Sequence, residues 1–175
     1  YRQMFGGLAK WVAEIDQTDR IPEYVARAFD LAQSGRPGPV VLALPEDMLS
    51  AETDAPDLPP APRPVAGVSD AQLGAIGEAL AGAERPLVVP GGALWSQQDA
   101  DRLTRFAENW GLPVAVPFRR QDYMDNRHPN YAGDVGVGIN PKLSKRIAEA
   151  DLVLAVGPRL GEMTTGGYTL PAAPR

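Results

Sequence analysis

Two kinds of hydrophobic pattern alternate along this chain. Val40, Val41, Leu42, Ala43 and Leu44 are apolar at every position. A strand with one wet face would alternate, so this run predicts a strand covered on both faces, as in a parallel sheet. Gly35 and the Pro37-Gly38-Pro39 turn precede it, and Pro45 and then Glu46-Asp47 close it. Glycine takes the left-handed backbone that ends a helix, and proline fixes φ and biases its predecessor away from helix. Upstream, Val25, Ala28, Phe29 and Ala32 recur at helical spacing, with Thr18 or Asp19 as cap and Pro22 in the first turn. Burying Phe29 would contribute about 1.5–3 kcal/mol, while Arg27 and Asp30 would face water. Residues 1–17, around Met4, Phe5, Trp11, Val12 and Ile15, read as a core-packing loop with a short strand or turn.

The alternation resumes at Val68. Ser69 with Gln72 fits a capping box, and Leu73, Ile76, Ala79 and Leu80 form the apolar face of the helix behind it. Pro86 and the strand Leu87-Val88-Val89 follow, with Pro90-Gly91-Gly92 at its carboxyl end. A second helix is capped by Ser96 with Asp99, lined by Leu103, Phe106, Ala107 and Trp110, and ended by Gly111. Val114-Ala115-Val116 is the next strand, stopped by Pro117. Phe118 to Gly138 reads as a long loop carrying Arg119, Arg120, Asp122, Tyr123, His128 and Tyr131, and loops of this length inside a domain are usually functional. Asn140 and Pro141 open a third helix with Leu143, Ile147 and Ala148 on its apolar face, and Leu152 to Val156 is the last strand. Right-handed crossovers make these strands parallel neighbours in a Rossmann-like α/β sheet. Ligands of such sheets lie beyond the carboxyl ends of the strands, where the order reverses. Gly91-Gly92 and Gly157-Pro158-Arg159 both stand at such ends.

Between the two patterned halves, residues 51–67 hold Pro56, Pro59, Pro60, Pro62 and Pro64 and read as a semi-rigid linker. The predicted division is therefore 1–50, a closing helix–strand pair of an α/β domain; 51–67, the linker; and 68–175, a second, incomplete α/β domain. The 175 residues are 44% hydrophobic and 22% charged, an ordinary globular composition. The net charge of −5 and the lack of a Lys/Arg cluster argue against nucleic acid and anionic membrane as partners. No apolar run is long enough to span a bilayer. Without cysteine there is no disulfide and no thiol chemistry, which fits a cytoplasmic protein. The chain opens on Tyr1 rather than Met and reads as a piece of a longer protein.

Few residues suggest chemistry. Gly91 and Gly92 lack a full dinucleotide fingerprint. They read either as a tight strand-to-helix turn or as bare backbone approached by a diphosphate at a helix N-terminus. Arg159, two residues past a strand, fits bidentate phosphate binding or a salt bridge to Glu162. His128, the single histidine, reads as a packing or surface residue. Asp122, Asp125 and Asp134 have no metal-ligand spacing, and one histidine supports no Ser/His/Asp set.

Arg36-Pro37-Gly38-Pro39-Val40, followed by Leu42, Leu44-Pro45 and Asp47, resembles the end of the pyrimidine-binding domain in thiamine-diphosphate (ThDP) enzymes of the acetolactate synthase type. The resemblance implies that residues 68–175 are most of the central domain of such an enzyme. It further implies a parent protein dependent on ThDP and Mg²⁺ that decarboxylates a 2-keto acid and passes the product to a second carbonyl or a proton. A homodimer or homotetramer is implied, since active sites of the family form between subunits. Gly91, Gly92 and Arg159 match positions that contact a cofactor diphosphate in flavin-binding members, so FAD or ADP is the implied occupant. Pro117-Phe118-Arg119-Arg120 departs from the Thr-rich segment of those members. The activating glutamate of the first domain and the Gly-Asp-Gly motif with its asparagine are absent, so no catalytic residue is expected here and the piece alone should be inactive. The alternatives are a non-catalytic FAD- or ADP-binding or structural α/β module, and an assembly-only subunit.

Overall fold

The computed structural model describes residues 1–59, 62, 67–93 and 95–170. The chain divides into two compact units, Tyr1–Val68 and Ser69–Arg175.

The first unit runs α1 (Arg2–Phe5), β1 (Trp11–Glu14), α2 (Ile21–Gln33), β2 (Val40–Ala43) and α3 (Glu46–Ser50). β1 and β2 are parallel, with Trp11 opposite Val40 and Glu14 opposite Ala43. Gly35, with φ of 51°, follows the last residue of the α2 cap, as a left-handed helix stop requires. The predicted caps are not used. Thr18–Arg20 is a 3₁₀ turn running straight into α2, whose N-cap Arg20 accepts no side-chain bond. The predicted burial also fails. Val40, Val41 and Leu42 are only half-buried, and Phe29 is 62% exposed. Two strands and one long helix leave β2 without a second covering layer and α2 with an apolar stripe wider than β1 and β2 can hide. Tyr24 of α2 stacks on Trp11 at 5.7 Å, and the Arg27 guanidinium lies 4.8 Å over the same indole instead of pointing away. The prolines at 56, 59 and 62 lie in no regular element, and Pro60 and Pro64 lie outside the described residues.

The second unit runs α4 (Asp70–Ala81), β3 (Pro86–Pro90), α5 (Gln97–Trp110), β4 (Val114–Pro117), β5 (Tyr131–Val135), α6 (Pro141–Ala148) and β6 (Leu152–Val156). All four strands are parallel, in the order β5-β4-β3-β6. Both capping boxes form, Ser69 with Gln72 and Ser96 with Asp99. Asn140 caps α6 by accepting from the Lys142 N–H at 2.9 Å.

The sheet separates two cores. On one face Val88, Val114 and Val116 pack with Leu80, Leu103 and Ala107. On the other Leu87, Val89, Ala115 and Val135 pack with Leu143 and Ile147. The period of 2 along each strand produces this split. Three details differ from expectation. Tyr131–Val135, read as loop, is a strand paired with β4; its Asp134 and its Gly133, at φ of 121°, hide the strand pattern. That φ favours glycine, and a Cβ there would press on Leu143 Cδ2 at 3.1 Å. Of the predicted α4 face only Leu80, in the last turn, is buried, and Leu73 is 54% exposed. Trp110 and Ala148 are exposed as well, because each helix meets the sheet along a narrower stripe than its apolar content suggests.

Candidate functional site at the switch point of the sheet

The chain builds β3, β4 and β5 in one direction, then returns past β3 to lay down β6 on its other side. The loops after β3 and β6 therefore leave the same edge next to each other, the arrangement that opens a ligand crevice in such sheets. Here the two loops also pack on each other. The Gly91 N–H donates to the Val156 carbonyl at 2.9 Å. A Cβ on Gly91 would lie 2.5 Å from Pro158 Cβ. One on Gly92, at φ of 88°, would lie 2.6 Å from the Gly157 oxygen. One on Gly157, at φ of 76°, would lie 2.9 Å from the Gly91 oxygen. Glycine is thus required at all three positions by backbone packed on backbone.

Two aromatic residues lock this turn: Trp95, which the sequence reading did not name, and Tyr123, which it placed only in the long loop after β4. Trp95 Nε1 donates to the Gly91 oxygen at 2.9 Å, and the Tyr123 hydroxyl donates to the Gly92 oxygen at 2.8 Å. Their rings stack with centroids 4.7 Å apart. Burial raises the Tyr123 phenol above its ordinary pKa, Arg120 opposing and Asp122 reinforcing that shift. Trp95 stands three residues past the diglycine and directly before the Ser96 cap, and was a findable signal. Tyr123 lies 31 residues from Gly92 in the sequence, so no local pattern could have paired them.

Beside the turn opens a cavity of about 450 Å³, walled by Trp95, Leu103, Phe106 and Val156, with Asp99 and Arg102 at its polar side. The Asp99 carboxylate accepts from the Ser96 N–H at 3.0 Å and from the Ser96 hydroxyl at 2.7 Å, which holds it below its ordinary pKa. The N-terminus of α5 is therefore already capped by its own anion. On the β6 side Arg159 is exposed and makes no ion pair among the described residues, the expected bridge to Glu162 included.

His128 is structural. Its Nδ1 accepts from the Asn130 N–H at 3.2 Å, which leaves the ring proton on Nε2, 3.1 Å from Glu108 Oε1. Asn130 in turn donates to the Ala107 and Leu112 oxygens at 3.1 and 2.9 Å, tying the loop before β5 to the α5–β4 turn. Asn130→Ala is expected to cost about 2 kcal/mol because it removes two side-chain bonds, to the Ala107 and Leu112 oxygens. Glu108→Gln is expected to cost under about 1 kcal/mol, since that pair is half in water. Urea unfolding of the two variants checks the ranking. Among the described residues no cluster of three or more histidines and carboxylates forms a metal site. Among the described residues there is thus no carboxylate set to hold Mg²⁺-bound thiamine diphosphate.

Comparison with known proteins agrees with this geometry. Residues 73–175 match the family model described as thiamine pyrophosphate enzyme, central domain. A probable acetolactate synthase large subunit of Methanocaldococcus jannaschii is 28% identical, over 97% of this chain and 30% of its own length. The sulfoacetaldehyde acetyltransferase of Alcaligenes xylosoxydans is 32% identical, over 93% of this chain and 27% of its own. A solved structure described as a putative thiamin diphosphate-dependent enzyme from Mycobacterium smegmatis superposes with a TM-score of 0.65 at 28% identity, over 87% of this chain and 29% of that one. The chain spans less than a third of the length of these relatives. With a parallel sheet, its switch point and a matching central-domain model, the chain belongs to the thiamine pyrophosphate enzyme family.

Proposed function

We infer that this chain is the end of the pyrimidine-binding domain, a linker and most of the central domain of a ThDP- and Mg²⁺-dependent enzyme. Its reaction would decarboxylate a 2-keto acid and hand the product to an acceptor carbonyl or a proton. The observation that carries this reading is that the likeness to carboligating and acyl-transferring relatives runs through both units, covering 91–97% of the chain in an acetolactate synthase, a sulfoacetaldehyde acetyltransferase and a glyoxylate carboligase. The parts that would bind ThDP and Mg²⁺ lie outside these residues. ThDP supplies the electron sink when bound, and this piece supplies scaffold. Assay of the full-length protein with pyruvate, glyoxylate and sulfoacetaldehyde should show turnover that requires added ThDP and Mg²⁺. Tight FAD or ADP binding with no turnover of any of them would favour a non-catalytic module instead.

The role of the switch point is a nucleotide site. Trp95 and Phe106 would flank the ring, the Gly91-Gly92 and Gly157 loops would shape the crevice, and Arg159 would hold the diphosphate of FAD or ADP. Charge-assisted bonds of this kind contribute enough that Arg159→Gln should weaken ADP binding about 10- to 100-fold. Its melting temperature should stay at the wild-type value, because Arg159 makes no ion pair among the described residues. Titration calorimetry with ADP reads the first outcome, and unchanged affinity would remove Arg159 from the site.

A further inference from the structure

The end of the sheet away from the switch point carries a second concave site. At the amino-terminal ends of β3 and β4, beside α6, lies a cavity of about 530 Å³ with Pro86 and Pro113 in its wall. Four cations line it, Arg85, Lys142, Lys145 and Arg146, against two carboxylates, Glu84 and Glu149. Four cations less two carboxylates leave a formal charge of +2, in a chain whose net charge is −5.

Little of that positive charge is answered from within. Lys145 meets Glu149 at 3.7 Å. Arg85, Lys142 and Arg146 have no carboxylate partner among the described residues. The neighbouring Asp151 is committed elsewhere, since its two oxygens accept from the Glu84 and Arg85 N–H groups at 2.8 Å each. That clamp fixes the turn into β3. Arg85 Nε donates to the Glu149 backbone oxygen at 2.8 Å, which ties the guanidinium to the end of α6. Its two Nη groups keep no protein partner among the described residues.

The sequence of α6 also departs from what helix electrostatics favour. α4 and α5 each place an aspartate in the first turn, Asp70 and Asp99, as the positive amino end of a helix prefers. α6 has no acid there and carries Lys142 instead. Lys142 and Arg146 stand four residues apart, so two like charges share one helix face. Departures from local preference of this kind are expected at binding sites. An anion in the cavity would offset both.

We propose that this cavity binds a small polyanion, a molecule with two or more carboxylate or phosphate groups, held by Arg85, Lys142 and Arg146. Guanidinium forks match either kind of anionic group, and a cavity of this size admits a small organic molecule. The site lies at the other end of β3 from the diglycine turn and does not depend on the nucleotide reading of that turn.

The test is titration calorimetry of the full-length protein with citrate, inorganic triphosphate and acetate at one fixed ionic strength. Citrate or triphosphate should bind about tenfold or more tightly than acetate, because each added anionic group gains a charge-assisted contact. In K142Q/R146Q, which keeps the Arg85 anchor, the tighter of the two should bind about tenfold or more weakly. The single variant K142Q changes one exposed side chain, guards against a folding defect, and should lose an intermediate amount. R2Q/R105Q removes the same charge outside the cavity and should keep affinity within about twofold, since distant exposed charges are screened. Whichever of citrate and triphosphate binds more tightly identifies the anionic group the site takes. The proposal is overturned if neither polyanion binds better than acetate, if K142Q/R146Q binds as the wild type does, or if R2Q/R105Q loses as much.

Discussion

Gly92→Ala is expected to destabilise the second unit by about 2–5 kcal/mol, the sum of a left-handed backbone penalty of about 1–2 and an overpacking penalty of about 1–3. The position combines a φ of 88° with a Gly157 oxygen 2.6 Å from where the new Cβ would sit. Backbone cannot rotate out of the way as a side chain would, so the two loops must part. Parting them strains the bond from the Gly91 N–H to the Val156 oxygen and the two aromatic donors on the turn. Thermal unfolding should show a loss of several degrees for each kcal/mol in a domain of this size. Gly74→Ala is the control. Gly74 lies inside α4 with nothing within 4 Å of its would-be Cβ, so alanine there should stabilise by about 0.5–1 kcal/mol. If Gly92→Ala melts with the wild type, the glycine pair is not there for packing.

The contrast bears on what a sequence can say about glycines. Gly91-Gly92 invites a phosphate because a bare backbone lets a ligand approach. In the fold the approaching object is another loop of the same unit. Only the topology, which brings residues 91–92 and 157–158 to one switch point, reveals this. The strands β3, β4 and β6 were legible because each is an apolar run closed by proline or glycine. β5 was not, since Asp134 and Gly133 break its pattern and its pairing with β4 decides its state. The caps at Ser69, Ser96 and Asn140 were legible from spacing, because a capping bond spans only two or three residues. Phe29 was misjudged for a different reason. Helical periodicity identifies an apolar face but not how many strands are there to cover it, and here β1 and β2 are too few. The fate of Arg159 and Glu162 likewise depended on side-chain reach, which spacing alone does not determine.

Trp95 separates the stability of the crevice from its use. Trp95→Ala is expected to cost about 2–4 kcal/mol, less than the full range for a wholly buried indole because Trp95 is half-buried. The loss has three sources: ring packing against the Leu103 and Phe106 side of the core, the stack on Tyr123, and the bond to the Gly91 oxygen. Trp95→Phe keeps most of the packing and an aromatic face but removes the indole donor. It should cost about 1–2 kcal/mol, the price of one carbonyl left short of a partner. Tyr123→Phe makes the same cut at the Gly92 oxygen and should cost a similar amount. Because both donors hold one turn and their rings touch, the double variant Trp95→Phe/Tyr123→Phe should depart from additivity by about 0.5 kcal/mol or more. If ADP is bound as proposed, Trp95→Phe should retain nucleotide affinity within about threefold, because a ring still lines the slot, whereas Trp95→Ala should lose roughly tenfold. Equal losses of affinity in the two variants would mean that the indole N–H, by shaping the diglycine turn, matters more to the ligand than the ring face does.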